Sequence, residues 1–528
     1  MDRRKFLKKG FFATAAFGSV LSCCTAMTKT HSPKKPLNFV FFLVDDLGWA
    51  DLGCYGSTFN ETPAIDKLAS QGMLFTDAYA ANPVCSPTRA SIMTGKDPAR
   101  VGITQWIGGP QSPSPYVQSL PLEEVTLAEA FKEQGYMTGF FGKWHLTNKG
   151  LHGGHNPSDQ GFDYDVTYHW KGGKKSFHAP YGDGIYGLNP KFDKEYLTDR
   201  NTDDAIDFLR TTGDKPFMLY VAHYAVHTPI EAKEDLIAKY EAKRKRLGLP
   251  AEEKEVSYPV GEGFTGMEDQ INPIYAAMLE SVDYSIAKII DKLQEQGLTE
   301  NTAIIFMSDN GGLSTWPWKP TPTSNMPLRE GKGWLYEGGI RVPMIVKWPG
   351  QIKPGSKCSW PVISNDFYPT MLEMAGYHLK PQQHMDGQSL VPLLKGKKSI
   401  KRDTLYWHYP HHHAYGNLPS GAVRQGNYKF IEYYELGYCQ LFNLKDDVGE
   451  MNDLSEKMTG KTAQMRAMLH QRIKDLDAYL PSKEDYDKMW KDLEAGTYFP
   501  WFNFKRKRND IFNGPDSVIE KSRPKEKR

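Results

Sequence analysis

The apolar runs of this chain are short, and several end abruptly on polar residues. Leu37 to Val44 is apolar and aromatic apart from Asn38, and stops at Asp45-Asp46. Thr302 to Met307 stops at Ser308-Asp309-Asn310 and two glycines. Tyr136 to Phe141 runs into Gly142-Lys143-Trp144-His145, and Pro216 to Ala222 into the segment His223 to Pro229. Apolar runs of this length without strict alternation read as strands buried on both faces, as in a parallel sheet covered by helices. Helical patterns lie between them. Thr62 precedes a proline at a first helical position, with Ile65, Leu68 and Ala69 on one face; Thr126 to Gln134 closes at Gly135; Asp203 to Arg210 precedes a strand. Tyr275 to Gln296 repeats Met278, Val282, Ile286, Ile289, Ile290 and Leu293 before Gly297. Strands alternating with helices predict an α/β fold.

After Gly396 the pattern changes. Tyr406 to His413 and Ala422 to Ile431 read as short strands and turns of a smaller α+β subdomain, an antiparallel sheet with a helix. The expected division is 1–23 as a signal segment, 36–398 as the main domain, and 399–528 as the C-terminal subdomain with a charged tail. Glu231 to Glu255 mixes acidic and basic residues and reads as a solvated helix. The Gly-, Tyr- and Lys-rich loop to Tyr186 offers Tyr168, His169 and Lys171 as substrate contacts, with plain loop residues the commoner case. Tyr498 to Phe504 reads as an aromatic clasp before a basic tail.

The strand ends carry the candidate chemistry, where open α/β sheets place their ligand sites. Adjacent carboxylates such as Asp45 and Asp46 repel each other unless a cation lies between them. Asp309 and Asn310 repeat the arrangement, and the combined oxygen set suits Ca²⁺ better than Zn²⁺. Lys143 and His145, two apart at a strand's end, are expected to point to one side.

A further block, Cys85-Ser86-Pro87-Thr88-Arg89-Ala90 followed by Thr94-Gly95, resembles the signature of the type I sulfatases. Gly142 to His145, Gly331 to Pro343, and Asp366-Phe367-Tyr368-Pro369-Thr370 to Asp386-Gly387-Gln388-Ser389-Leu390 resemble other blocks of that family, and the likeness extends from residue 37 to about 455. The resemblance implies an alkaline-phosphatase-like fold, a large mixed sheet flanked by helices. It implies that a formylglycine-generating maturation enzyme oxidises Cys85, and that one Ca²⁺ is held by Asp45, Asp46, residue 85, Asp309 and Asn310. It further implies that the residues after Cys85 begin a helix whose positive end faces the site. Arg89, Lys143 and Lys332 would hold sulfate oxygens, Asp309 and Ca²⁺ would activate the attacking hydroxyl, and His145 would help deprotonate the second hydroxyl, which expels sulfate and regenerates the aldehyde. His227, two residues before Pro229, would protonate the leaving alcohol with Lys332, while His223 is structural. Glu337 to Arg341 looks like a support for the loop.

The implied activity is exo-acting hydrolysis of sulfate esters on carbohydrate. Gly102 to Ile107 and His408 to Gly416 resemble sulfatases acting on galactose-type 4-O-sulfate. Two rivals stand beside it: a formylglycine-dependent phosphonate or phosphate-ester hydrolase, and a lipoprotein that binds sulfated glycans without turnover because Cys85 stays a thiol. The run His411-His412-His413 has the side chains for a transition metal, but without flanking acidic ligands a sugar-facing or exposed loop is the better reading.

Composition narrows the picture further. The 528 residues carry 65 Lys and Arg against 63 Asp and Glu, a net +2, which leaves no footprint of nucleic-acid or membrane-surface binding. The start, Met1-Asp2-Arg3-Arg4-Lys5-Phe6-Leu7, and the apolar run to Leu21 read as a twin-arginine-like export signal. Leu21-Ser22-Cys23 resembles a lipobox with a lipid anchor at Cys23, the alternative being unlipidated cleavage after Ala26. Cutting before Cys23 removes five basic residues and one acidic residue, leaving 60 against 62, a nearly neutral chain. The expected location is the periplasm or the outer membrane of a Gram-negative-type bacterium. Beyond Cys23 and Cys24 only Cys54, Cys85, Cys358 and Cys439 remain, too few and too scattered for a disulfide framework.

Overall fold

A computed structural model describes residues 35–148, 155–167, 169–170, 175–182, 185–186, 188–251, 255–257, 265–267, 270–316 and 321–499. The proposed signal segment, Tyr168, Lys171 and the chain beyond Phe499 lie outside the described residues, as does the His169 side chain.

Eight strands form the main sheet: β1 (Asn38–Val44), β2 (Met73–Phe75), β3 (Met137–Gly142), β4 (Tyr164–Thr167), β5 (Phe217–Ala222), β6 (Thr302–Ser308), β7 (Met344–Lys347) and β8 (Ser356–Cys358). Their order is β8-β2-β7-β6-β1-β5-β3-β4. Strands β6, β1, β5, β3 and β4 run parallel, whereas β7 is antiparallel to both of its neighbours. The sheet is therefore mixed, and it is flanked by helices.

β1 is central because its side chains feed two cores. Phe39, Phe41 and Leu43 pack into one apolar cluster, and Val40, Phe42 and Val44 into the cluster on the opposite face. Burial on both faces explains why the run does not alternate with polar residues. The predicted 126–134 helix is Leu127–Lys132, with Thr126 and Glu129 forming a capping box. The predicted 203–210 helix extends over Leu197–Thr211, and the long one spans Pro273–Glu295 with Asn272 as its cap. The solvated helix is Glu234–Arg246.

The C-terminal part forms a four-stranded antiparallel meander, β9 (Thr404–Tyr409), β10 (Ser420–Gln425), β11 (Tyr428–Tyr433) and β12 (Tyr438–Asn443). The helix Thr459–Asp475 packs on it through Met465, Leu469 and Ile473. Its other face shares a core with the main domain, where Tyr79, Trp334, Tyr336, Trp407, Tyr409 and Phe442 meet. Tyr498 and Phe499, the described part of the clasp, lie in that same core. Cys54, Cys85, Cys358 and Cys439 are free thiols. No helix among the described residues is long and apolar enough to cross a membrane.

Candidate active site

The carboxyl ends of β1 and β6 lie side by side, with Val44 opposite Ser308 in register. The two polar pairs predicted from sequence therefore meet. Asp45, Asp46, Asp309 and Asn310 are all buried. Asp46 adopts φ 60°, and its N–H donates to Asp309 Oδ1 at 3.2 Å. Asn310 Nδ2 donates to Asp46 Oδ1 at 2.8 Å. Gly311 is required here because a Cβ would stand 1.8 Å from the Gly338 carbonyl oxygen, while its N–H donates to Gly339 at 2.9 Å.

Cys85 is the first residue of the buried helix Cys85–Thr94, so unpaired helix N–H groups and the positive dipole end face the site. Asp45, Cys85 and Asp309 bring ligand atoms within 4.8 Å of one another, and among the described residues no other group of three or more His, Cys, Asp or Glu does so. One helical turn on, Arg89 donates from Nε and Nη2 to Asp309 Oδ2 at 2.9 and 2.7 Å, and from Nη1 to the Lys143 carbonyl at 2.5 Å. Arg89 is thus committed to holding Asp309.

Lys143 Nζ pairs with Asp45 Oδ2, and Lys332 Nζ spans both Asp46 oxygens at 2.7 and 2.8 Å. His145 lies at φ 56°, its Nδ1 3.2 Å from Cys85 Sγ and its Nε2 3.1 Å from the Ile107 carbonyl oxygen. A carbonyl only accepts, so Nε2 carries the proton and Nδ1 is the free base beside residue 85. His227 follows the same logic: Nδ1–H donates to the Thr228 carbonyl at 2.7 Å, leaving Nε2 toward Asp46 Oδ2 at 3.7 Å. Burial, then the neighbouring cations, hold His145 well below its ordinary pKa, and burial with Lys332 brings His227 down to about 4.

Burial pushes Asp309 up to about 7, with Asp45 adding to the shift against Arg89. Burial would also raise Asp45, but Lys143, His227, Arg89 and Lys332 outweigh it and hold that carboxyl well below its usual range. Asp45 Oδ1 and Asn310 Oδ1 are buried without a hydrogen-bond donor. Unpaired buried oxygens are costly. Two of them beside like-charged carboxylates fit a hard divalent cation such as Ca²⁺, for which oxygen donors are the preferred ligands.

The description "Sulfatase" belongs to the family model that matches residues 37–377, and "N-sulphoglucosamine sulphohydrolase, C-terminal" to the one matching residues 331–479. A "Sulfatase" of Formosa agariphila is 31% identical over 547 aligned positions, covering 88% of this chain and 93% of that protein. The chain belongs to the sulfatase family. It is a sulfuric ester hydrolase with the alkaline-phosphatase-like fold. N-acetylgalactosamine-6-sulfatase of Homo sapiens is 30% identical, covering 72% of this chain and 70% of that one. The solved structure of Ps i-CgsB in complex with k-i-k-neocarrahexaose superposes with a TM-score of 0.69 at 28% identity, over 87% of this sulfatase and 97% of that chain. A phosphonate monoester hydrolase of Agrobacterium radiobacter, 19% identical with a TM-score of 0.59, shares the fold.

The structure brings together all ten residues singled out from the sequence. Two expectations change. Lys143 and His145 do reach one site as expected, but past the end of β3 and not by strand alternation: β3 ends at Gly142, whose φ of 112° and close approach to the Ala222 carbonyl turn the chain, and Lys143 pairs with Asp45 while His145 lies against Cys85. The histidine run is not an exposed loop, since His411, His412 and His413 are buried. His411 Nε2 lies 2.9 Å from Thr104 Oγ1, and Tyr409 O–H donates to Gln105 Oε1 at 2.7 Å. The two segments that resemble sulfatases acting on galactose-type 4-O-sulfate, 102–107 and 408–416, therefore pack against each other. His223 is structural as expected, bonded to Ser285. The carbonyls of Ile107 and Thr228 were missed, because a backbone acceptor leaves no signal in residue type.

Proposed function

We propose that this sulfatase is exported and removes sulfate groups from carbohydrate, using formylglycine made from Cys85 and one bound Ca²⁺. The observation that carries the reading is the convergence on residue 85 of a basic imidazole nitrogen, three carboxylates and three cations. Ca²⁺ supplies a Lewis acid, and hydrated formylglycine supplies a hydroxyl nucleophile with a second hydroxyl for its own regeneration. Asp45, Asp46, Asp309 and Asn310 would hold the ion.

The protein's own groups carry the proton and charge work. His145 Nδ1 takes the proton from a hydroxyl at position 85, and its Nε2–H on Ile107 fixes the ring. Asp309, clamped by Arg89, is the nearby carboxylate for the proton of the attacking hydroxyl, so that the proton on His145 is the one the second hydroxyl gives up as sulfate leaves. Lys143 and Lys332 pair with carboxylates and reach sulfate oxygens by side-chain rotation, neutralising charge that grows in the transition state. Lys332 is the charged donor for the leaving oxygen, and His227 Nε2 exchanges protons beside it. Carbohydrate as substrate is supported by the names of the relatives, an N-acetylgalactosamine-6-sulfatase and a structure complexed with neocarrahexaose. Export is supported by the basic and apolar N-terminal segment.

The test is co-expression with a formylglycine-generating enzyme, followed by mass measurement of the Cys85 peptide and assays on matched sulfate and phosphate monoesters and on sulfated saccharides. The expected outcome is an aldehyde at 85, sulfate release that favours sulfated saccharides, and loss of activity in Cys85→Ala with its melting temperature kept. A matured enzyme that prefers phosphate esters, or an active enzyme with an intact thiol, overturns the proposal.

A further inference from the structure

The sheet edge farthest from the β4 end is β8, and it forms one wall of a recess of about 450 Å³. Five lysines line this recess, Lys353, Lys357, Lys395, Lys397 and Lys398, and no acidic side chain does. In a chain with 65 basic and 63 acidic residues, such one-sided lining concentrates positive charge locally. All five are exposed, and none forms an ion pair among the described residues.

The lysines stand on ordered backbone. Lys353 lies three residues before β8 and Lys357 is its middle residue. The turn carrying the other three is closed by bonds from Lys395, Gly396 and Lys397 N–H to the carbonyls of Val391, Leu393 and Pro392. Lys395 Nζ lies 5.5 Å from the Trp348 ring centroid. Trp360, half-buried in the lining, donates Nε1–H to the Arg402 carbonyl at 3.1 Å, which fixes an indole inside the recess.

We propose that this recess is a second binding site for sulfated polysaccharide, remote from the catalytic centre. β8 stands four strand spacings from β1, about 19 Å, and none of the site residues lines the recess. The inference rests on the carbohydrate reading above. Ammonium groups attract the singly charged sulfate esters repeated along such a polymer, and an indole provides an apolar face for one sugar ring. A recess of about 450 Å³ with an indole in its lining suits a saccharide unit better than a flat lipid surface, which would meet only the lysine tips. The polymer would be held near the enzyme while individual esters visit residue 85.

The test compares the matured enzyme with a Lys353→Glu/Lys357→Glu/Lys397→Glu variant, which replaces exposed side chains only. Binding is measured to dextran sulfate, chondroitin sulfate, unsulfated dextran, double-stranded DNA and phosphatidylglycerol vesicles, each at two salt concentrations. The variant is expected to bind the sulfated polymers about tenfold more weakly at low salt, with the gap closing at high salt. Its KM for a sulfated polymer should rise with kcat unchanged, and its kcat/KM for a small aryl sulfate should match the parent. Equal polymer affinity in parent and variant overturns the proposal, as does a loss confined to DNA or to vesicles. Should the triple variant melt early, Lys357→Gln/Lys397→Gln gives the same reading through neutralisation. If no polymer yields sulfate, the carbohydrate reading fails while the binding comparison still judges the recess.

Discussion

Two buried charge clusters in this sulfatase have the same composition and opposite purposes. Each holds three acids and three bases. The proposed catalytic cluster sets Asp45, Asp46 and Asp309 against Arg89, Lys143 and Lys332. The cluster between the main domain and the C-terminal sheet sets Asp77, Glu337 and Glu450 against Arg341, Arg424 and Lys429. In the second cluster Lys429 Nζ sits 2.9 Å from both Glu337 and Glu450, and Asp77 is shared by Arg341 and Arg424 at 3.0 and 2.8 Å. Tyr79 O–H donates to Glu337 at 2.7 Å. Burial alone would push Glu337 up, but Lys429, Arg341 and Arg424 outweigh it and hold the carboxyl at about 2. Glu450 is the exception, pushed up to about 7 by burial and by Glu337 against the pull of Lys429.

The catalytic cluster is built differently. Its carboxylates meet at two strand ends, where burial and then Asp45 push Asp309 up to about 7, and oxygens of Asp45 and Asn310 have no donor. Equal numbers of charges therefore do not make equal sites. What separates them is where the bases reach: Lys429 bridges Glu337 and Glu450, whereas at the strand ends each carboxylate has its own cation and Asp45 Oδ1 and Asn310 Oδ1 are still left without a donor, facing the place for an added cation.

The largest effect should come from breaking the closed cluster. Lys429→Met leaves Glu337 and Glu450 facing each other in a dry interior and should cost about 3–5 kcal/mol in denaturant unfolding. A loss below about 1 kcal/mol would show that this cluster is as open as the catalytic one. Next, His145→Gln should lower kcat by roughly 10²–10⁴ with little change in melting temperature, because it removes a base and no structural charge pair. A matching loss of stability would erase the distinction between the clusters.

Calcium should then raise the melting temperature, by about 2.7 kcal/mol of stability at a hundredfold excess over Kd. The gain should disappear in Asp45→Asn and persist in Lys429→Arg. Chelation that abolishes activity without moving the melting curve would count against the crowded carboxylates as its source.

The smallest effect concerns a neutral control. Burial holds His408 down at about 4, with Nε2–H donating to the Tyr479 carbonyl at 3.0 Å and Nδ1 accepting from Tyr434 at 2.7 Å. Its folded pKa lies below the usual 6.5, so its stabilising effect is complete above pH 6.5 and is lost as pH falls toward 4. His408→Gln should flatten that part of the stability profile by on the order of 2 kcal/mol by pH 5. An unchanged acid slope would shift the blame to the two charge clusters.

Much of the catalytic site was legible because its residues sit where regular elements end. A strand buried on both faces must end when its apolar run ends, so Asp45 and Asp309 announced themselves, and the Cys85 block named its own helix. The histidine run misled because three adjacent imidazoles look polar, yet His411 is buried, its Nε2 bonded to Thr104 and its ring packed against Tyr116 and Tyr409. Lys429 carried no signal at all, since a lysine in a short strand reads as a solvated edge until its partners are known.

The sequence by itself determined the strands, the helix after Cys85, the oxygen-rich strand ends and the family. Those are local properties, fixed by apolar runs, capping residues and motif spacing. Only the tertiary structure decided which nitrogen of each histidine is free, that Arg89 is committed to Asp309, and that two sets of six buried charges close differently. Each of these depends on a partner far away in the chain or on a backbone carbonyl, and neither is written in residue type.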